Sequence, residues 1–237
     1  MGFFLQKNLS SFFLFSLLCF IQFSSISCEK KVSLALYYES LCPGCSDFIV
    51  NYLPKIFKNG MIDFVDLKLV PWGNTKIQPN NTFKCQHGPA ECFLDTVEAC
   101  ALDVWPDLNE HFPFIHCVES WIYHKNYTQW ETCFEKLNLK KKLVTDCVGG
   151  DRGKQLELRH AAETPPHKFV PWVVVDGQPL YTDYREFISY ICKAYKGTTP
   201  IPGCSSSDSL SFTSKLSTIS STITSFVEQR VKLAASA

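Results

Sequence analysis

Leu34-Ala35-Leu36-Tyr37-Tyr38-Glu39-Ser40-Leu41-Cys42-Pro43-Gly44-Cys45-Ser46-Asp47-Phe48 is the stretch on which the fold turns. Leu34, Leu36 and Tyr38 alternate as on a strand with one buried face. Cys45, Phe48, Ile49, Tyr52 and Ile56 then recur at three- and four-residue steps, the spacing of one helix face. Cys42 and Cys45 therefore lie where a strand turns into a helix. The unpaired N–H groups of a first helical turn, with the positive end of the helix dipole, favour thiolate over thiol there. Such places lower a cysteine pKa from about 8.5 to roughly 3.5–7.5, and the thiolate is the nucleophile of disulfide exchange. Cys42, at the mouth of the turn, reads as the attacking thiol, and Cys45, one turn on and facing the core, as the resolving one.

Working outward, Ile62, Phe64, Val65, Leu67, Leu69 and Val70 read as a second buried strand, stopped by Pro71 and Gly73. Pro54 falls inside the preceding helix pattern and is expected to kink or end it. Between Gly73 and Phe169 no strand is expected. Helical patterns occur around 91–104, 114–123, 130–137 and 153–162, with breaks at Pro106, Pro113 and Gly149-Gly150. A strand returns at Val170-Pro171-Trp172-Val173-Val174-Val175, with Asp176-Gly177 as a hairpin turn and Leu180-Tyr181 starting the return strand. Tyr184, Phe187, Ile188, Ile191, Cys192 and Tyr195 make a closing helix. The class is α/β, and the order resembles the thioredoxin layout, with a large cysteine-rich helical insertion at about 73–169 between the second strand and the proline strand. Thioredoxin-like proteins carry a cis-proline facing the redox pair. That resemblance assigns the role to Pro171, with Val170 offering backbone bonds to an extended substrate and Trp172 lining its groove.

The chain has 237 residues, 46% of them apolar, and no net formal charge, so nothing in it points to nucleic acid. Met1–Ser27 holds one charged side chain, Lys7, an apolar run over 12–23 and then small residues, which is the pattern of a secretory signal peptide cleaved after Ser27 or Cys28. The run is short for a membrane span. Residues 28–204 make up the folded domain. Residues 205–237 form a Ser/Thr-rich tail expected to be disordered, although Leu216, Ile219, Ile223 and Phe226 fall at helical spacing.

Twelve cysteines in a chain bound for the secretory pathway imply structural disulfides. Leaving out the signal segment, Cys28 and the redox pair, eight remain as structural cysteines: Cys85, Cys92, Cys100, Cys117, Cys133, Cys147, Cys192 and Cys204. Cys92 and Cys100 stand about 12 Å apart on one helix and must bond elsewhere. Cys117 and Cys133 can pair if two antiparallel helices meet near Lys125. Asn80 and Asn126 open glycosylation sequons. A Cys-x-x-Cys pair also serves zinc, but no second ligand pair is present at a spacing that suits it, and no metal site is expected.

The run Cys85-Gln86-His87-Gly88-Pro89-Ala90-Glu91-Cys92, continued to Asp95 and Cys100, resembles the signature of the gamma-interferon-inducible lysosomal thiol reductase family, Cys-Gln-His-Gly-x-x-Glu-Cys-x-x-Asn-x-x-x-x-Cys. Asp95 is the one departure, a carboxyl where the family has an amide. The resemblance spans about Val32 to Cys204. It implies a thioredoxin-like fold, a lysosomal or secreted thiol reductase with an acid optimum, and catalysis by Cys42 and Cys45. No cofactor is expected. The partners implied are disulfide-containing protein substrates and a small-molecule or protein thiol as reductant, in a lysosome or vacuole or outside the cell. His87 reads as a hydrogen-bonding or capping residue. Two alternatives remain: an oxidase or isomerase of the secretory pathway, and a non-enzymatic disulfide-rich binding module.

Overall fold

The structure, a computed structural model, describes residues 30–204; the signal peptide, Cys28 and the Ser/Thr-rich tail with its helical spacing lie outside them. Strand β1 (Val32–Tyr38) buries alternate residues and pairs in parallel with β2 (Val65–Pro71), Val32 opposite Val65 and Tyr38 opposite Pro71. On its other side β1 runs antiparallel to β5 (Trp172–Val175), which turns through Asp176-Gly177 into β6 (Gln178–Pro179). The sheet order is β2-β1-β5-β6, so the first strand is central and the proline strand lies beside it. The return strand is displaced from its expected place: Leu180 closes the turn, and Tyr181–Glu186 form a 3-10 helix leading into α8 (Phe187–Ala194). Likewise, the first residues of the expected second strand, Ile62–Phe64, belong to a 3-10 turn that enters β2.

After β1 the chain forms α1 (Pro43–Asp47) and continues as a π-helical turn over Phe48–Tyr52, before α2 (Lys55–Lys58). Pro54 causes the break, because it has no N–H to give to the carbonyl of Val50. The His116 ring, reaching across from a neighbouring helix, takes that carbonyl instead. Phe48, Ile49, Leu53 and Ile56 are fully buried against the sheet, and the Phe48 ring meets Phe187 and Tyr184 edge-on.

The insertion contains a small ribbon that the sequence does not advertise, β3 (Lys76–Ile77) with β4 (Phe83–Lys84). Its helices are α3 (Pro89–Val104), α4 (Leu108–Tyr123), α5 (Thr132–Lys136), α6 (Lys141–Gly149) and α7 (Asp151–Glu163). Pro113 does not interrupt α4. It lies near the helix start, so the missing N–H removes one bond, and the Asp107 side chain caps the first turn by accepting from the Asn109 N–H at 2.8 Å. The helices enclose a second core of Trp105, Phe114, Val118, Trp130 and Phe134. Disulfides join Cys85 to Cys92, Cys100 to Cys147 and Cys117 to Cys133, and Cys192–Cys204 ties α8 to the segment that follows it. Among the described residues no helix is long and apolar enough to cross a membrane.

Candidate active site

Cys42 and Cys45 are the free cysteines of the described residues. Cys42 is the N-cap of α1, and Pro43 occupies the first helical position, where its missing N–H costs nothing. The Cys42 sulfur accepts the Cys45 backbone N–H at 3.3 Å. That geometry separates the acidities of two neighbouring thiols. The Cys45 thiol and backbone N–H donate to the Cys42 sulfur and pull its pKa below the ordinary value, against burial and the charge of Glu39. Complete burial, then the bond to Cys42, pushes the Cys45 thiol well up.

The Val170–Pro171 peptide is cis, and its Val170 carbonyl stands 3.9 Å from the Cys42 sulfur. Gly44 lies against that loop: a Cβ there would be in ordinary contact, 3.4 Å from Pro171 Cδ and 4.0 Å from the Cys42 sulfur. The cis-proline loop thus closes one side of the thiol pair. Trp172, expected to line the groove, is buried. Strand alternation carries its ring inward, where it meets Phe169 and Tyr181 edge-on, and Tyr181 is the exposed aromatic at that edge. The eight structural cysteines are all bridged, and the sequon residues Asn80 and Asn126 are exposed.

The motif Cys85 to Cys100 is built around the start of α3. Gly88 has φ +95°, a conformation that L side chains rarely adopt, and Pro89 opens the helix. Glu91, in the third helical position, reaches back to accept the His87 N–H at 3.1 Å, in the manner of a capping box. The His87 ring also bonds Glu91, and its Nδ1 lies 3.5 Å from Oε1 of Glu39. Asp95, one turn on, accepts the Ser40 N–H at 2.7 Å. The motif therefore holds the turn from β1 into α1. Sequence reasoning missed Glu39 entirely and gave His87 only a local role; the signal was long-range, because Glu39 and His87 read separately as polar loop residues.

A layer of carboxyls lies behind the site. Asp95, Glu98, Glu119 and Glu157 are buried, and each keeps an oxygen without a hydrogen-bond partner. Tyr38 donates to Glu98 at 2.6 Å. Burial raises Asp95, Glu98 and Glu119 above the carboxyl range and pushes Glu157 up to about 8. The remaining histidines serve structure: His111 bonds the Trp105 carbonyl at 2.9 Å, and His160, bonded to the Pro71 carbonyl, is lowered by burial to about 4.

A family model described as gamma interferon inducible lysosomal thiol reductase matches residues 33–137. The chain is 45% identical over 189 residues to a gamma-interferon-responsive lysosomal thiol protein of Arabidopsis thaliana, covering 76% of this chain and 78% of the relative. It is 34% identical over 201 residues to the gamma-interferon-inducible lysosomal thiol reductase of Mus musculus, covering 75% and 73%. Among solved structures, oxidised BdbD from Bacillus subtilis superposes with a TM-score of 0.51 at 14% identity, over 70% of this chain and 88% of that one, a likeness of fold.

Proposed function

The chain belongs to the gamma-interferon-inducible lysosomal thiol reductase family, and from that premise we propose that it reduces the disulfide bonds of protein substrates through Cys42 and Cys45. It is a thiol-disulfide oxidoreductase of thioredoxin-like fold. One observation carries the assignment of residues: two free thiols one helical turn apart, with acidities moved in opposite directions, beside a cis-proline carbonyl.

The Cys42 thiolate attacks one sulfur of the substrate disulfide. A Cys42–substrate disulfide forms, and the other substrate sulfur leaves as a thiolate and takes up a proton. Cys45 then gives up its proton and attacks the Cys42 sulfur, which expels the second substrate sulfur. Two electrons pass to the substrate, and the enzyme is left with a Cys42–Cys45 disulfide. A small-molecule or protein thiol returns it to the dithiol. The high acidity threshold of Cys45 fits the order of events, since the buried thiol stays protonated until Cys42 is engaged.

The working pH is acidic and the site of action a lysosome or vacuole reached through the secretory pathway. The carboxyl layer supports this, because Asp95, Glu98, Glu119 and Glu157 are buried with bare oxygens and suit a medium that keeps them neutral. Reduction of a denatured disulfide-bonded substrate at about pH 4.5 and about pH 7, beside Cys42→Ser and Cys45→Ser, tests both parts. Expected are activity at the lower pH, none in Cys42→Ser, and a trapped mixed disulfide in Cys45→Ser. No reduction at either pH and no trapped species points instead to a binding protein, and efficient rescue of scrambled substrates points to an isomerase.

A further inference from the structure

Glu39 is fully buried, yet its carboxylate stands on the turn that carries Cys42. Its backbone carbonyl accepts the Cys42 N–H at 3.3 Å, and its Oε2 accepts the Asn74 N–H at 2.7 Å. Gly73, at φ +53°, packs so closely that a Cβ there would fall 2.4 Å from Oε2. The side chain cannot swing away; burial raises its pKa, and the Asn74 N–H and the His87 ring work against that rise and favour the carboxylate beside the sulfur. Glu91, also fully buried, adds a second carboxyl from the start of α3. Between them lies the His87 ring, bonded to Glu91 and 3.5 Å from Glu39, with a third of its side chain open to solvent.

Among the described residues His87 is the cation paired with Glu39 and Glu91. The turn itself contributes Glu39, Cys42 and Cys45, α3 contributes Glu91 and Asp95, and α4 contributes Glu119, which faces both thiols. From the loop after β2, Asn74 Oδ1 meets the His167 ring at 3.1 Å. A thiolate at Cys42 places a negative charge beside the Glu39 carboxyl.

We propose that His87 is a positioning residue for disulfide exchange: its imidazolium, held between Glu39 and Glu91, offsets the fixed carboxylate beside Cys42 and so keeps the Cys42 thiolate available in acid. This rests on Cys42 being the attacking thiol. The direction of each interaction agrees. The Glu39 charge raises the Cys42 pKa, while burial of His87 is outweighed by Glu91, Glu39 and Cys42, which raise that of the imidazole. As pH falls, an ordinary thiol loses its thiolate tenfold per unit. Here the same fall charges His87 and returns part of that loss.

The test is the pH dependence of Cys42 alkylation by iodoacetamide in the reduced full-length protein, with the adduct located by peptide mass. For His87→Gln, the rate at about pH 5 is expected to fall roughly three- to tenfold below wild type, a Cys42 pKa shift of about half to one unit. At about pH 9, where His87 is neutral in wild type, the two rates coincide. Glu39→Gln raises the acid rate, and Glu39→Gln/His87→Gln returns it to within about twofold of wild type. A role confined to capping predicts instead an equal loss at both pH values, a lower melting temperature and no rescue by Glu39→Gln. That result, or superposable profiles, overturns the proposal. If His87→Gln does not fold, Glu39→Gln alone decides, since an unchanged acid rate removes the charge that His87 is said to offset. Reductase activity surviving in Cys42→Ser would instead break the underlying assignment; an inactive Cys42→Ser with superposable profiles breaks only the role of His87.

Discussion

Around the sheet, Cys42 and Cys45 remain thiols one helical turn apart, whereas across the insertion Cys100–Cys147 and Cys117–Cys133 clamp helices together. The surroundings differ as sharply. The sheet core is built from Val32, Leu34, Leu36, Phe48, Ile49 and Phe187, while the insertion buries the carboxyls of Asp95, Glu98, Glu119 and Glu157. The difference shows that position on an element, not residue type, decides what a cysteine does. At a helix N-cap beside a cis-proline a thiol stays free and its pKa is lowered. In mid-helix, facing another helix, it is a staple.

Removing one member of each class should separate them. Cys42→Ala is expected to lower the reduction rate roughly a thousandfold or more, because the other thiol of the turn, Cys45, is fully buried and holds its proton. Its thermal melting should stay within about 2 °C of wild type in the reduced state, since the side chain lost is small. Residual activity above about one part in a hundred would mean that a second thiol attacks.

The opposite signature is expected of the staples. Cys100 and Cys147 are 47 residues apart in sequence and Cys85 and Cys92 only 7. Chain-entropy reasoning gives a loss of about 4 kcal/mol for Cys100→Ala/Cys147→Ala against about 2.5 kcal/mol for Cys85→Ala/Cys92→Ala. Denaturant unfolding of both variants, scored beside the reduction rate per folded molecule, measures this. Equal losses, or a rate that falls with the longer bridge while the fold is intact, would dissolve the distinction between staple and catalyst.

How much of this was legible follows the same division. The alternation of Leu34, Leu36 and Tyr38 and the Cys42-Pro43-Gly44-Cys45 turn describe local geometry, and local periodicity reads out the strand, the helix start and the proline strand. Helix α6 escaped notice because only Val144 and Cys147 of its residues are buried, too few anchors for a periodic pattern. The bridge to Cys100 holds it in place, and pairing between distant cysteines cannot be read from spacing. Pro113 misled for a related reason, since its cost depends on how far it lies from a helix start that Asp107 sets. At the site, Cys42, Cys45 and Pro171 stood out by type and order. His87 and Glu91 stood out as members of the Cys85–Cys100 motif, but their tie to Glu39 did not, because it crosses some fifty residues of chain.

Stability against pH sharpens the comparison next. Glu157 ionises near 4.5 when unfolded and at about 8 when folded. A raised carboxyl leaves the native state proton-loaded while the unfolded chain has released its proton, so stability falls as pH rises from about 4.5 to about 8 and is unaffected below both values. Glu157→Gln should therefore unfold at higher denaturant than wild type near pH 8, by on the order of 2 kcal/mol, and match it near pH 4. Asp95→Asn should move the same way, because the amide oxygen can still accept the Ser40 N–H while an N–H donor replaces the bare oxygen. The buried histidines act in the other direction: His160, lowered to about 4, costs stability as pH falls below about 6.5. A Glu157→Gln gain of equal size at both pH values would point to packing rather than ionisation.

The smallest effect is expected where the two regions touch. Tyr38 is a sheet residue, the last of β1, but its hydroxyl crosses to Glu98 of α3 at 2.6 Å. Tyr38→Phe keeps the ring and removes that one donor, at a cost of about 1 kcal/mol near pH 5. There Glu119 holds its proton and gives it to Glu98, so Glu98 keeps one donor when the tyrosine hydroxyl is lost. Near pH 8, where Glu98 loses its proton, the carboxylate needs the tyrosine hydroxyl more, because burial denies it water. The cost of Tyr38→Phe should therefore grow with pH, as read by denaturant unfolding at both values. A cost that is flat with pH would mean that Glu98 and Glu119 share a proton throughout, and that the carboxyl layer is part of the fold's permanent framework rather than a feature tuned to acid.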